Sequence, residues 1–203
     1  MKTNATSFPL ALAALTGLLT VALAQGTPPA KQKSPAAKSE PKQTKQAPPP
    51  PAPGGGQPSL LGQFGEWGAY TANSAGKKIC YALAKPSSSA TEPANRPRDP
   101  AYTFISTRPS ENVRNEVSIV IGYPFKPGSE ASVDIGSNKY AMYTQADGAW
   151  IKNAAEESRM VDPMRRGADM IVTGESGRGT KSTDRYALKG LSQALDRVAQ
   201  ECK

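Results

Sequence analysis

Ala131-Ser132-Val133-Asp134-Ile135 sets three apolar side chains at every second position with polar residues between them. Successive side chains of a strand point to opposite faces, so this is the pattern of a strand with one face in a core and the other in water. Val117-Ser118-Ile119-Val120-Ile121 repeats the pattern, and Val120 on the opposite face marks a more central strand. Working outward, the same period predicts strands near 66–72, 79–84, 102–107, 139–144, 149–152, 169–175 and 183–187. Turn residues separate them, among them Pro127-Gly128 and Asp147-Gly148, the latter suited to a two-residue hairpin turn. Asp162-Pro163 followed by Gly167 predicts one short helical turn, with Asp162 as N-cap, Pro163 at the first helical position and Gly167 just past the end.

The period changes at the C-terminus. Leu191, Ala194, Leu195, Val198, Ala199 and Cys202 recur at three- and four-residue intervals, while Gln193, Asp196, Arg197 and Gln200 occupy the other face. This predicts an amphipathic helix laid on the strands. Its stripe ends in Cys202, one of only two cysteines in the chain; the other, Cys80, lies on a predicted strand. In an exported protein a Cys80–Cys202 disulfide is the economical reading, and the absence of a Cys-x-x-Cys spacing speaks against a redox pair.

Export is read from the other end. Lys2 precedes an apolar run over 8–24 that closes on Ala22-Leu23-Ala24, the small-x-small pattern of a cleaved signal peptide, which leaves no transmembrane anchor in the mature chain. Residues 25–59 form a Pro/Lys-rich tail whose composition cannot offset its ordering entropy, so it is expected to be disordered. Of the 19 prolines, ten lie between Gln25 and Pro58, and five lysines there oppose the single Glu40. A solvated linker without a partner is the simpler reading of the tail; the functional alternatives are a spacer or a contact to an anionic surface. Residues 60–203 carry 19 basic and 16 acidic residues, so the net charge of +8 for the whole chain is not a property of the domain and gives no nucleic-acid signature. The chain contains no histidine, which excludes Ser-His-Asp triads, Cys-His dyads and His-ligated metals.

The run Arg114-Asn115-Glu116-Val117-Ser118-Ile119-Val120-Ile121-Gly122-Tyr123-Pro124-Phe125-Lys126-Pro127-Gly128-Ser129 resembles the invasion-associated locus B family. So do Asp147-Gly148-Ala149-Trp150, Met164-Arg165-Arg166-Gly167, Ser176-Gly177-Arg178-Gly179-Thr180 and the closing helix, over roughly 64–202. The resemblance implies a mainly β, immunoglobulin-like antiparallel β-sandwich in an exported protein of Gram-negative bacteria, periplasmic or secreted, named from members linked to host-cell entry. No catalytic residue set or cofactor is implied. Some relatives carry further cysteines in the first strands, where this chain has Tyr70 and Thr71.

Three local patterns touch on chemistry. Ser74-Ala75-Gly76-Lys77 matches Ser-x-x-Lys, but the companion Ser-Asp-Asn and Lys-Thr-Gly elements are missing and the segment reads as a turn. Ser176-Gly177-Arg178-Gly179-Thr180 looks like a phosphate-cradling loop, yet a strand rather than a helix follows it, so a glycine-rich hairpin loop is expected. If that loop has a function, Arg178 and Lys181 are the residues expected to meet an anionic partner. Most aromatics are expected in the core; Tyr123-Pro124-Phe125, flanking a Pro-Gly turn, is where Tyr123 and Phe125 are expected to be available to a partner. Arg96-Pro97-Arg98-Asp99-Pro100 reads as an extended linker with salt bridging. The expectation is a non-catalytic protein without cofactor or metal that binds an envelope or host-surface component. The alternatives are a His-independent hydrolase of an envelope polymer and a purely structural periplasmic module.

Overall fold

The computed structural model describes residues 57–203. The readings of a signal peptide and of an anion-seeking tail lie outside the described residues, apart from the last three residues assigned to the tail. There the boundary moves, because the first strand already begins at Ser59.

The described residues form an antiparallel β-structure with two α-helices. The strands are β1 (Ser59–Phe64), β2 (Trp67–Ser74), β3 (Lys77–Ala84), β4 (Ser88–Glu92), β5 (Tyr102–Arg108), β6 (Val113–Val120), β7 (Glu130–Ile135), β8 (Asn138–Gln145), β9 (Gly148–Trp150), β10 (Asp169–Glu175) and β11 (Lys181–Ala187); helix α1 spans Ala154–Arg166 and α2 spans Leu191–Glu201. Hydrogen bonding runs in the order β1-β2-β3-β5-β6-β9-β8-β7-β10-β11-β4. The three-residue β9 bonds to β6 on one side and β8 on the other. The ladder turns there, and its two halves face each other in a sandwich-like arrangement. Contacts between strands distant in the order show this: the Trp67 indole of β2 donates to the Ala187 carbonyl at the end of β11 at 2.8 Å, and the buried Tyr186 hydroxyl of β11 faces Thr103 of β5.

The period-two rows that predicted the strands supply the core. Ala131, Val133 and Ile135 of β7, Val117 and Ile119 of β6, and Met170 and Val172 of β10 are all buried in one cluster. Strand β3 is buried on both faces. Cys80, Ala82 and Ala84 join the main core, while Ile79, Tyr81 and Leu83 join a second cluster with Ala72, Tyr102 and Phe104. Burial pushes the Tyr81 hydroxyl up to about 12, with Tyr70 adding to the shift. The aromatics of these strands are thus mainly core residues.

Helix α2 buries Leu191, Ala194, Leu195 and Val198, as its periodicity requires, although Ala199 is exposed. Cys202, immediately after it, is bonded to Cys80 with 5.9 Å between the Cα atoms. The Lys78 ammonium donates to the Glu201 carbonyl at 2.9 Å and to its carboxylate at 2.6 Å beside this staple.

Two local expectations differ in the structure, and one strand has no counterpart in the residue pattern. The short turn capped by Asp162 is instead the end of the thirteen-residue α1, capped by Asn153, whose side chain accepts from the Ala155 N–H at 3.0 Å. Met160, Val161 and Met164 are buried beneath it. Pro163 sits in the last turn rather than the first. It lacks the N–H that would serve the Arg159 carbonyl, and the Tyr140 hydroxyl donates to that carbonyl instead at 2.7 Å. The β8–β9 turn is centred on Ala146-Asp147, one residue earlier than expected; Gln145 pairs with Gly148, and Ala146 takes the positive φ of 54°. Gly148 is needed for a different reason, because a Cβ there would run into the Trp150 ring. Strand β4, Ser-Ser-Ala-Thr-Glu, carries no apolar row because it is an exposed edge strand.

Candidate functional site

Three loops at the β4 and β11 end of the sheet enclose a cleft of about 1020 Å³: the segment from Thr91 to Asp99, the Gly122-Tyr123-Pro124 turn and the Ser176–Thr180 hairpin loop. Their sequences are rich in Pro and Gly, so regular pairing ends here and side chains hold the walls in place.

The first wall is anchored by Arg98. Its guanidinium forms a two-pronged pair with the Asp184 carboxylate, including Nη1 to Oδ2 at 2.8 Å, and also donates to the Ile121 carbonyl at 2.8 Å and the Ser89 hydroxyl at 3.1 Å. The Asp184 side chain is fully buried and that of Arg98 is 11% exposed, so this is an interior ion pair whose remaining donor positions find carbonyl and hydroxyl partners. Asp184 is available because the inward row of β11 is Ser182, Asp184 and Tyr186, a polar row where a core strand would ordinarily present apolar residues. Arg96 extends from the same wall. Its backbone N–H bonds to Thr91 Oγ1 at 3.0 Å, and its exposed side chain has no ion-pair partner among the described residues.

The second wall is welded to the first where Asp99 N–H donates to the Gly122 carbonyl at 3.0 Å. Gly122 has φ 85°, and a Cβ there would collide with the Asp99 carbonyl, so only glycine permits this approach. Beyond it the Tyr-Pro-Phe segment divides. Tyr123 is half-buried, with its hydroxyl 2.7 Å from Ser182 Oγ; burial raises its pKa, and the bond to Ser182 opposes the rise. Pro124 is exposed. Phe125, expected to be available to a partner, is buried: it pairs with Ser176 as an isolated bridge, contacts the Tyr123 ring edge-on at 5.8 Å and covers Gly174. It supports the cleft from behind and does not line it.

The third wall is the glycine-rich hairpin between β10 and β11. The Ser176 hydroxyl accepts from the Arg178 and Thr180 amides at 3.3 and 3.1 Å. Ser176 N–H donates to Thr180 O, Gly179 N–H to Ser176 O, and Gly177 N–H to Pro124 O. All five amides of the loop are therefore engaged within the protein, and none remains to cradle a phosphate. The Arg178 guanidinium is exposed and has no ion-pair partner among the described residues. Lys181 does not share its cleft. It begins β11 and lies in a neighbouring groove of about 440 Å³ with Glu92, Glu130 and Glu175. Of the four residues singled out from sequence, the fold thus places Tyr123 and Arg178 in the cleft, Lys181 beside it and Phe125 beneath it. Arg96, read as part of a linker, is the cleft residue that sequence reasoning missed; the signal was the Arg-Pro-Arg-Asp-Pro run itself.

The arrangement offers two guanidinium groups without an ion-pair partner among the described residues, one carboxylate acceptor in Asp99, and the side chains of Tyr123 and Pro124. The Ser-x-x-Lys segment is a β-hairpin turn in which Ser74 pairs with Lys77, and the Lys77 ammonium contacts Glu111 at 3.4 Å. A second ionisable cluster lies under α1. Arg108 bonds Glu116 at 2.6 and 2.9 Å and Glu111 at 2.7 Å. Beside it Glu157 is raised to about 7 by burial and by the Glu116 charge, with the Val117 N–H and Arg108 opposing. Among the described residues no group of three or more His, Cys, Asp or Glu could hold a metal ion, and no helix is long and apolar enough to cross a membrane.

No protein-family model matches the chain, and no curated protein matches it in sequence. In structure it is similar to the crystal structure of invasion associated protein b from Bartonella henselae, at 14% sequence identity and a TM-score of 0.47, over 70% of this chain and 96% of that one.

Proposed function

We propose that this is a non-catalytic, extracytoplasmic binding protein of the invasion-associated locus B type, which holds a component of the cell envelope or of a host surface in the cleft between its three loops. The observation that carries this reading is the composition of the cleft. Gly122-Tyr123-Pro124 and Ser176–Thr180, two of the segments on which the sequence resembles that family, are two of its three walls, and its free groups are those of recognition. The Cys80–Cys202 bond supports residence in an oxidising compartment. The Pro/Lys-rich segment before the domain then serves as a tether between the domain and its site of action.

The test fills the cleft. Gly177 is exposed, and a Cβ there meets nothing closer than the Phe125 carbonyl at 4.0 Å, so Gly177→Trp is compatible with the backbone. The mature chain is expected to bind isolated Gram-negative envelope vesicles or host-cell membranes in sedimentation, and Gly177→Trp is expected to abolish that binding while leaving the thermal melt unchanged. Equal binding by the variant refutes the cleft as the site.

A further inference from the structure

Building on that reading, we propose that the cleft takes an acidic oligosaccharide, with Arg96 and Arg178 binding its carboxylate or sulfate groups. The cleft has no free main-chain donor on its hairpin wall. An extended peptide is captured largely through main-chain hydrogen bonds, but the Ser176, Gly177, Arg178, Gly179 and Thr180 amides all donate within the fold already. The same bonding removes the amide nest that would hold a bare phosphate. On this wall recognition is left to side chains.

Those present match a sugar chain bearing oxyanions. A guanidinium presents its N–H donors in a planar fork that fits a carboxylate or sulfate, and Arg96 and Arg178 are the two guanidinium groups of the cleft without an ion-pair partner among the described residues; that of Arg98 is taken up by Asp184. Asp99 is an acceptor for hydroxyl groups, which sugars supply and simple anions do not. The half-buried Tyr123 ring and Pro124 give an apolar face of the kind on which a pyranose ring rests. A volume of about 1020 Å³ far exceeds a single ion and suits a short oligomer. Because Arg98 is locked by four hydrogen bonds to three neighbours, Arg96 two residues away is presented from a fixed wall.

The experiment is a calorimetric titration of the mature chain with oligogalacturonate, which carries carboxylates alone, and with heparin oligosaccharides, which carry sulfates in addition to carboxylates. Methyl-esterified oligogalacturonate, poly-glutamate and inorganic phosphate are titrated alongside. Binding is expected for at least one acidic glycan and not for the methyl ester. It is expected to weaken about tenfold or more on Arg96→Ala or Arg178→Ala, the loss of a charge-assisted contact, and not at all on Arg166→Ala, an exposed arginine outside the cleft. Asp99→Ala is expected to weaken glycan binding; tighter binding would remove Asp99 as a hydroxyl acceptor. Equal affinity for the methyl ester, equal affinity for poly-glutamate, or binding indifferent to both arginines overturns the proposal. If neither glycan binds while Gly177→Trp still abolishes attachment to vesicles, the ligand class is wrong and the cleft stands; if Gly177→Trp leaves that attachment intact, the underlying reading falls as well.

Discussion

Replacing Cys80 and Cys202 together by alanine cuts a cross-link that spans 122 residues of sequence. The cross-link lowers the entropy of the unfolded chain by roughly 2.1 cal/mol/K plus 1.5R times the logarithm of the loop length, which for this loop comes to about 16 cal/mol/K, or about 5 kcal/mol at 25 °C. Both sulfurs are buried, so the small voids left by alanine add about 1 kcal/mol more. For the 147 residues described, with an unfolding entropy of roughly 2.1 cal/mol/K per residue, a combined loss of about 6 kcal/mol lowers Tm by roughly 19 °C. Small domains hold only about 5–15 kcal/mol in total, so the variant loses a large share of its stability. The assay is urea unfolding of three samples: the oxidised protein, the same protein after reduction, and the double alanine variant. The last two are expected to coincide within about 1 kcal/mol, and both are expected to unfold with a larger m value, because an unlinked chain exposes more surface on unfolding. Lys78→Ala, which removes only the solvent-exposed contact to Glu201 beside the staple, is expected to leave the denaturation midpoint nearly unchanged. A loss below about 1.5 kcal/mol for the double variant, with m unchanged, would show that the bond does not act through the unfolded chain.

Asp184→Asn leaves the Arg98 guanidinium interior and unbalanced, and is expected to cost about 3–5 kcal/mol in chemical denaturation, whereas an apolar replacement of both partners costs much less; equal costs would mean that the charges are not the reason. Tyr140→Phe removes a solvent-accessible hydrogen bond to the Arg159 carbonyl and is expected to cost about 0.5–1 kcal/mol, and Pro163→Ala in the same chain is expected to offset that cost by restoring a backbone N–H. Additive losses in the double-mutant cycle would contradict this account of the helix end. Glu157 binds its proton more tightly in the folded state, where it is raised to about 7, than in the unfolded chain. Stability linked to it is therefore complete below about pH 4.3 and is lost as pH rises towards 7. The gain in Tm from Glu157→Gln, which keeps an acceptor for the Val117 N–H, is expected to grow from pH 5 to pH 8; a gain independent of pH would remove the buried carboxyl, with Glu116 and Arg108 facing it, as the cause.

Much of this architecture was legible in the residue pattern, and the reason is local. Rows such as Val117-Ile119 and Ala131-Val133-Ile135 report a strand with a buried face because side-chain direction alternates along any strand. The stripe from Leu191 to Cys202 reports a helix by the same logic at a longer period, and two cysteines in a chain read as exported left one economical pairing. The glycine-rich 176–180 segment was legible as a hairpin loop because no helix pattern follows it. What the pattern could not carry is whatever depends on partners remote in sequence. Pro163 reads as a helix start until Tyr140, twenty-three positions earlier, is seen to serve the carbonyl that it strands. The polar strand β4 exists because β11 offers it an edge, and Phe125 is buried because Ser176 pairs with it. The cleft is the clearest case. Arg98 and Asp184 stand eighty-six residues apart, and the pairing of β4 with β11, which sets Ser89 opposite Asp184, brings them together; an apparent linker becomes a fixed wall, and Arg96 and Arg178 line one cleft. Periodicity encodes which side of an element is buried; which elements then meet is decided by long-range packing, and the candidate site belongs wholly to that second step.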